Sequence, residues 1–251
     1  MASCEPNRDI QAQLDEQKRV ECLNNVCAGD AIPAHDMHSE FAFKINGQWY
    51  IGPREYGGYG GALAFFWPSK TPANQEQATK HAPEFRSSAS GVNSNFYDVG
   101  VEIFLRAHSR PSTDTSRYQT LLDAQANGRV LKREVMRPGL EVWHLRESGG
   151  SSLSVWYVAT TLRDSNGQPP VLGCDAGNAI LDRCTMAFVW KPGQAVDLRF
   201  RASHGPDWPE IYLEVMRVLD LLKVPLPKQM EKQSSVPQKI NSAILPSHAE
   251  A

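Results

Sequence analysis

Phe41-Ala42-Phe43-Lys44-Ile45-Asn46-Gly47-Gln48-Trp49-Tyr50-Ile51 decides the fold class of this 251-residue chain. Apolar residues alternate with others on both sides of Asn46-Gly47. Period-two alternation puts one set of side chains on one face of a strand. Asn-Gly supplies the two residues of positive φ that a type I′ turn requires, so the stretch predicts a two-residue antiparallel hairpin. Gly52-Pro53 closes it. Strands joined by so tight a turn need no helical crossover.

The same character continues outward. Residues 62–67 read as a buried strand stopped by Pro68. Further strands are predicted over 99–106, 140–145, 152–161, 186–190 and 196–201, the last alternating Val196, Leu198 and Phe200 against Asp197, Arg199 and Arg201. A short helix is predicted over 9–20, and another over 116–127 with Asn127-Gly128 as its stop. The clearest helix runs from Trp208 to about Leu222. Asp207 is placed as its N-cap, with Glu210 three residues on. Trp208, Ile211, Tyr212, Val215, Leu219 and Leu222 form one apolar stripe suited to lying on a sheet. Glu214 with Arg217, and Asp220 with Lys223, read as solvated i,i+3 pairs. Pro225 and Pro227 end the segment.

The sum is an α+β fold, predominantly antiparallel β-sheet with one long C-terminal amphipathic helix packed on it. Residues 1–21 read as a polar tether. Residues 22–223 form the folded part, with each half offering enough strands for two lobes. Residues 224–251, rich in Gln, Ser, Lys and Pro, are predicted to be disordered.

The balance of 26 basic against 28 acidic residues gives a net charge of −2, so no global basic field points to nucleic acid. No apolar run reaches the roughly 18 residues of a membrane span. The five cysteines say more. Cys22 and Cys27 are close, as are Cys174 and Cys184. Two local disulfides fit that layout, and they persist in oxidising compartments. Free thiols are the rival reading; a metal site is a further one, although neither pair has zinc-ligand spacing. Cys4 stands apart after Met1-Ala2-Ser3, like the end of a bacterial lipoprotein signal whose apolar part has been removed. That layout predicts a periplasmic protein anchored to a membrane through residue 4.

Catalytic patterns are lacking. The chain contains no G-x-S-x-G and no H-E-x-x-H. Tyr56-Gly57-Gly58-Tyr59-Gly60-Gly61 lacks the Lys-Ser/Thr ending of a phosphate loop, and reads as a loop with exposed tyrosines suited to protein recognition. His35-Asp36-Met37-His38 reads as solvated surface rather than a metal site. Asp98 and Glu102 share one face of a strand and are the one carboxylate pair placed for acid/base work, although exposed strand charges are the ordinary case. No cofactor, metal or catalytic residue is therefore assigned.

Four segments together carry a resemblance. They are Lys44-Ile45-Asn46-Gly47-Gln48-Trp49-Tyr50-Ile51-Gly52-Pro53, Phe66-Trp67-Pro68-Ser69-Lys70, Asp182-Arg183-Cys184-Thr185-Met186-Ala187-Phe188-Val189-Trp190 and Asp207-Trp208-Pro209-Glu210-Ile211-Tyr212. Over roughly residues 20–223 the chain resembles periplasmic immunity lipoproteins encoded beside lipase effectors of type VI secretion systems. The resemblance implies a non-enzymatic protein that binds and inhibits a cognate lipase or phospholipase effector in the periplasm. It also implies contact with the membrane through a lipid anchor alone. An interface of that kind uses aromatic and Arg anchors on loops. Arg54, Tyr56, Tyr59, Arg106 and Arg110 are the candidates. The alternative is a cell-envelope lipoprotein serving as a structural or ligand-binding module with no toxin partner.

Overall fold

In the computed structural model of the protein, Asn46 and Gly47 take φ values of 49° and 76°, as the predicted hairpin turn demands. The structure describes residues 8–57, 62–73, 100–107, 117–146, 153–176 and 183–225. Among them the order is α1 (Arg8–Asn24), β1 (Glu40–Ile45), β2 (Gln48–Pro53), β3 (Ala62–Phe66), β4 (Gly100–Ala107), α2 (Arg117–Ala126), β5 (Val130–Arg137), β6 (Leu140–Arg146), β7 (Leu153–Ala159), β8 (Val171–Ala176), β9 (Arg183–Lys191), β10 (Gln194–Arg201) and α3 (Trp208–Asp220).

β1 and β2 pair with each other alone, and the other strands form one eight-stranded sheet in the order β3-β4-β10-β9-β8-β7-β6-β5. All its pairings are antiparallel. The α+β fold with a helix on an antiparallel sheet is thus what the chain forms. β4 from the first half lies against β10 from the second, so the eight-stranded sheet draws strands from both halves.

Alternation along the strands divides the core. Leu63, Phe65, Val101, Ile103, Leu105, Met186, Phe188, Val196 and Leu198 point to one face. There they meet Phe41, Phe43 and Tyr50 of the hairpin and Trp208, Ile211, Val215 and Leu219 of α3. Full burial of such a side chain contributes about 1.5–3 kcal/mol, which makes this face the principal source of stability. On the other face a smaller cluster forms where Leu121 and Ala124 of α2 meet Trp143, Leu145, Val158 and Val171.

α3 keeps its predicted stripe, but its polar residues depart from expectation. Asp207 makes no side-chain cap bond; its Oδ2 accepts a hydrogen bond from Trp67 Nε1 at 2.8 Å instead. Glu214 is buried, not solvated. Lys223 pairs with Glu40 at 2.7 Å rather than with Asp220, because the chain after α3 exchanges two backbone bonds with Ile51 of the hairpin and is drawn toward it. Before α3, Gly205 lies so close to Tyr157 that a Cβ would sit 2.3 Å from its ring. That position needs glycine for space, not for backbone freedom.

α1 is longer than predicted and runs through residue 21 to Asn24. Its side chains from 10 to 21 are exposed. Only its end is tied down, where Gly47 N–H donates to Leu23 O at 2.8 Å and Asn46 N–H to Asn24 Oδ1 at 3.0 Å. Both predicted disulfides are present. Cys22–Cys27 fastens the end of α1 to the turn after it. Cys174 and Cys184 are register partners on β8 and β9, so that bond crosses between the two strands and closes the segment that joins them. Cys4 and residues 226–251, with the expected disorder of the tail, lie outside the described residues.

Candidate interaction surface

The sequence places Arg54 and Tyr56 just past the hairpin, and the structure gives them opposite fates. A single 3-10 turn, Arg54–Tyr56, follows β2. Tyr56 is buried within the principal core, which corrects the expectation of an exposed ring. The physical reason is a polar partner under α3. Arg217 Nη2 donates to the Tyr56 hydroxyl at 2.6 Å and to Glu214 Oε1 at 2.6 Å, and Nε donates to the same carboxylate at 2.8 Å. Burial of a tyrosine is tolerated when its hydroxyl is bonded. The Glu214 side chain is only 4% exposed, and it is paired there with the Arg217 guanidinium while Lys70 Nζ stands 3.9 Å away. Glu214, and then Tyr56, raise the Arg217 pKa above its ordinary value. This network locks the turn onto α3; its chemistry is charge compensation.

Arg54 faces the other way. It is exposed, and its Nη2 donates to Glu40 O at 3.1 Å while its N–H donates to Ser39 O at 2.8 Å. Beside it the Asp36-Met37-His38-Ser39 turn is held by Asp36, which accepts from Ser39 Oγ at 2.6 Å and from His38 N–H at 3.0 Å. Those two bonds, in that order, lower the Asp36 pKa. Met37, at the tip of the turn, is 72% exposed. Arg54, Met37 and the Glu40–Lys223 pair form one mixed apolar and charged rim at the open end of the hairpin. The 35–38 segment, read from the sequence as solvated surface, contributes to a surface turn. Among the described residues no group of three or more His, Cys, Asp or Glu side chains is placed to hold a metal ion.

Arg106 stands elsewhere. It alternates with Leu105 of the core, so it projects from the sheet face away from α3, where Nε meets Asp197 Oδ2 at 2.6 Å. The structure therefore separates Arg106 from Arg54 and Tyr56. Tyr59 and Arg110 lie outside the described residues. On the same face as Arg106, Glu102 is the register partner of Arg199. Burial pushes its carboxyl up, with Arg199 and then Arg183 opposing. Its candidate partner Asp98 is outside the described residues, so what the structure shows at Glu102 is a charge ladder across strands.

One exposed feature had no counterpart among the sequence candidates. β5 is the terminal strand of the sheet, and Leu131, Val135 and Met136 stand out from it at 49%, 70% and 50% exposure. A hairpin signal was available in Pro138-Gly139 just before the predicted 140–145 strand. The charged residues between the apolar ones hid it.

The four segments that carry the family resemblance meet in two pairs. Trp67 of one bonds Asp207 of another, as described. Tyr50 packs tilted against Trp190 with ring centroids 5.7 Å apart, and its hydroxyl donates to the buried Gln194 at 2.6 Å. The segments are joints of the framework. No helix among the described residues is long and apolar enough to cross a membrane.

No protein-family model matches the chain, and no curated protein sequence matches it. Among solved structures it is similar to an immunity protein of the Stenotrophomonas maltophilia type IV secretion system. The likeness has 14% identity and a TM-score of 0.45, over 76% of this chain and 92% of that one. A likeness of that size settles neither family nor activity.

Proposed function

We propose that this chain is a periplasmic immunity protein that binds and inhibits a lipase or phospholipase effector of a type VI secretion system, held at the membrane by a lipid on Cys4. The observation that carries this reading is the pairwise meeting of the four resembling segments, 66–70 with 207–212 and 44–53 with 182–190. Four separate coincidences of sequence have no reason to dock on one another. One shared framework does.

Two further observations support it. Disulfides at Cys22–Cys27 and Cys174–Cys184 suit an oxidising compartment. The framework residues are spent on packing, which leaves recognition to the surface, and the hairpin rim at Arg54 and Met37 has the mixed apolar and cationic character of an interface anchor. Inhibition then needs no chemistry from this protein: occupying the lipase entrance with a rigid rim suffices. Arg106, Arg110 and Tyr59 remain candidate contacts on other surfaces, and Tyr56 acts indirectly by fixing Arg217.

The test is co-purification with the product of the neighbouring gene, followed by a lipase assay of the mixture. The rate should fall to near zero at an equimolar ratio. An undiminished rate at excess of this protein overturns the proposal.

A further inference from the structure

β5 ends the sheet, and among the described residues no strand covers its outer edge. An edge that exposes both backbone groups and apolar side chains is a template for another strand. The sequence of β5 specifies which one. Val130-Leu131-Lys132-Arg133-Glu134-Val135-Met136 reads apolar, apolar, cation, Arg133, anion, apolar, apolar. Two copies laid antiparallel with Arg133 opposite its mate place Lys132 opposite Glu134, Leu131 opposite Val135, and Val130 opposite Met136, each of these twice. Opposite charges and apolar pairs directly across a ladder stabilise it, and like charges oppose it. Lys132 already pairs with Glu134 of its own strand at 2.5 Å, so the mate's pair would join it in a four-charge cluster of alternating sign.

Neighbouring registers lose this match. A slip that puts Glu134 opposite itself brings like charges together and sets Lys132 against Met136. The other slip sets Lys132 against Val135 and Val130 against Arg137. In the matched register Arg133 faces Arg133, but each guanidinium is already bound to Glu141 at 2.9 and 3.1 Å and lies 4.4 Å over the Trp143 ring. At the ends Arg129 faces Arg137, whose charge Glu210 meets. The β5–β6 register shifts at Leu131 and Met136, so the regular ladder is confined to 132–135, with the Lys132–Glu134 pairs inside it and the apolar pairs at its bulged ends. Bulges and an edge lysine deter unmatched strands; they leave a short edge that accepts a matched one.

We propose that the β5 edge is a homodimer interface, in which a second copy of this chain pairs antiparallel about Arg133 and continues the sheet across the two-fold axis. The inference is independent of what the protein inhibits. It is tested by sedimentation equilibrium of the disulfide-intact full chain in a Cys4→Ser background, which removes dimers linked through that thiol. Wild type should show a concentration-dependent mass of twice the chain. Lys132→Glu sets two like-charge pairs in the interface and should weaken dimerisation about tenfold. The double exchange Lys132→Glu with Glu134→Lys restores both pairs and should restore the dimer. At low concentration the single change should lower the melting temperature slightly, because it also breaks the Lys132–Glu134 pair within the strand, and the double exchange should recover it. A wild-type monomer at every concentration overturns the proposal. So does a dimer that the single change leaves intact, or one that the double exchange fails to restore.

Discussion

The two ends of the eight-stranded sheet are built differently. At the end formed by β3, β4, β10 and β9, large aromatic and aliphatic side chains fill one face beneath a hairpin and a helix. At the end formed by β6 and β5, a six-residue cluster under α2 is the only buried apolar group on its face among the described residues, and the last strand shows apolar side chains to water. The first end is where folding free energy is concentrated. The second has surface to spare for contacts beyond the chain.

The contrast can be broken by comparing truncations. Trp208 stacks near Phe200 and Tyr212, and its indole donates to Pro170 O at 3.0 Å within the large core. Trp208→Ala should cost about 3–5 kcal/mol in urea denaturation, enough to unfold a marginal domain. Leu121→Ala in the small cluster should cost about 2–4 kcal/mol. A cost at Leu121 equal to that at Trp208 would show that the two ends are equally important.

Three smaller effects sharpen the comparison. Tyr212 belongs to the large core, where burial, with Asp164 adding to it, pushes its hydroxyl up to about 12. Its folded pKa is thus raised above the unfolded value of about 10. The stabilisation is complete below pH 10 and is lost as pH rises toward 12, about 2–3 kcal/mol in all. Tyr212→Phe should flatten that alkaline limb in a pH series of denaturation midpoints. Removing Cys174–Cys184 by paired alanines should cost about 2.7 kcal/mol, and removing Cys22–Cys27 about 2 kcal/mol, from their loop lengths in the chain-entropy model. Equal losses in thermal unfolding would argue that loop length does not govern them. Last, Val135→Ala on the exposed edge should shift stability by less than about 0.5 kcal/mol. A larger loss would mean that β5 is structurally buried in solution.

The elements legible in the sequence were those with one dry and one wet face. The stripe of α3 satisfies that condition; the hairpin was legible from its Asn46-Gly47 turn instead, since β2 is buried on both faces. β5 was not legible because its outer edge and much of both faces meet water, so polar residues fill most of its positions. β8 was hidden because Gly173, Cys174 and Asp175 interrupt any apolar pattern. Polar side chains were harder still. Asp207 has the right identity and place for an N-cap, but Trp67, 140 positions earlier, holds its carboxylate. Glu214 looks solvated on a helical wheel, and only the arrival of Tyr56 and Lys70 buries it. The candidate contact residues fared by the same rule: Arg54 stayed at the surface, while Tyr56 was claimed by a helix that local sequence does not reveal.

Among the described residues, α1 is held to the rest of the molecule at its last turn. A 17-residue helix is about 25 Å long. It therefore acts as a lever with its pivot at the Cys22–Cys27 bond. A pull applied at its far end reaches the fold through that bond and the two hydrogen bonds to Asn46 and Gly47. The load enters at the hairpin turn and bypasses the large sheet. Tension on the N-terminus would first act on the β1–β2 turn, at the opposite end of the hairpin from Met37 and Arg54, before it disturbed the core.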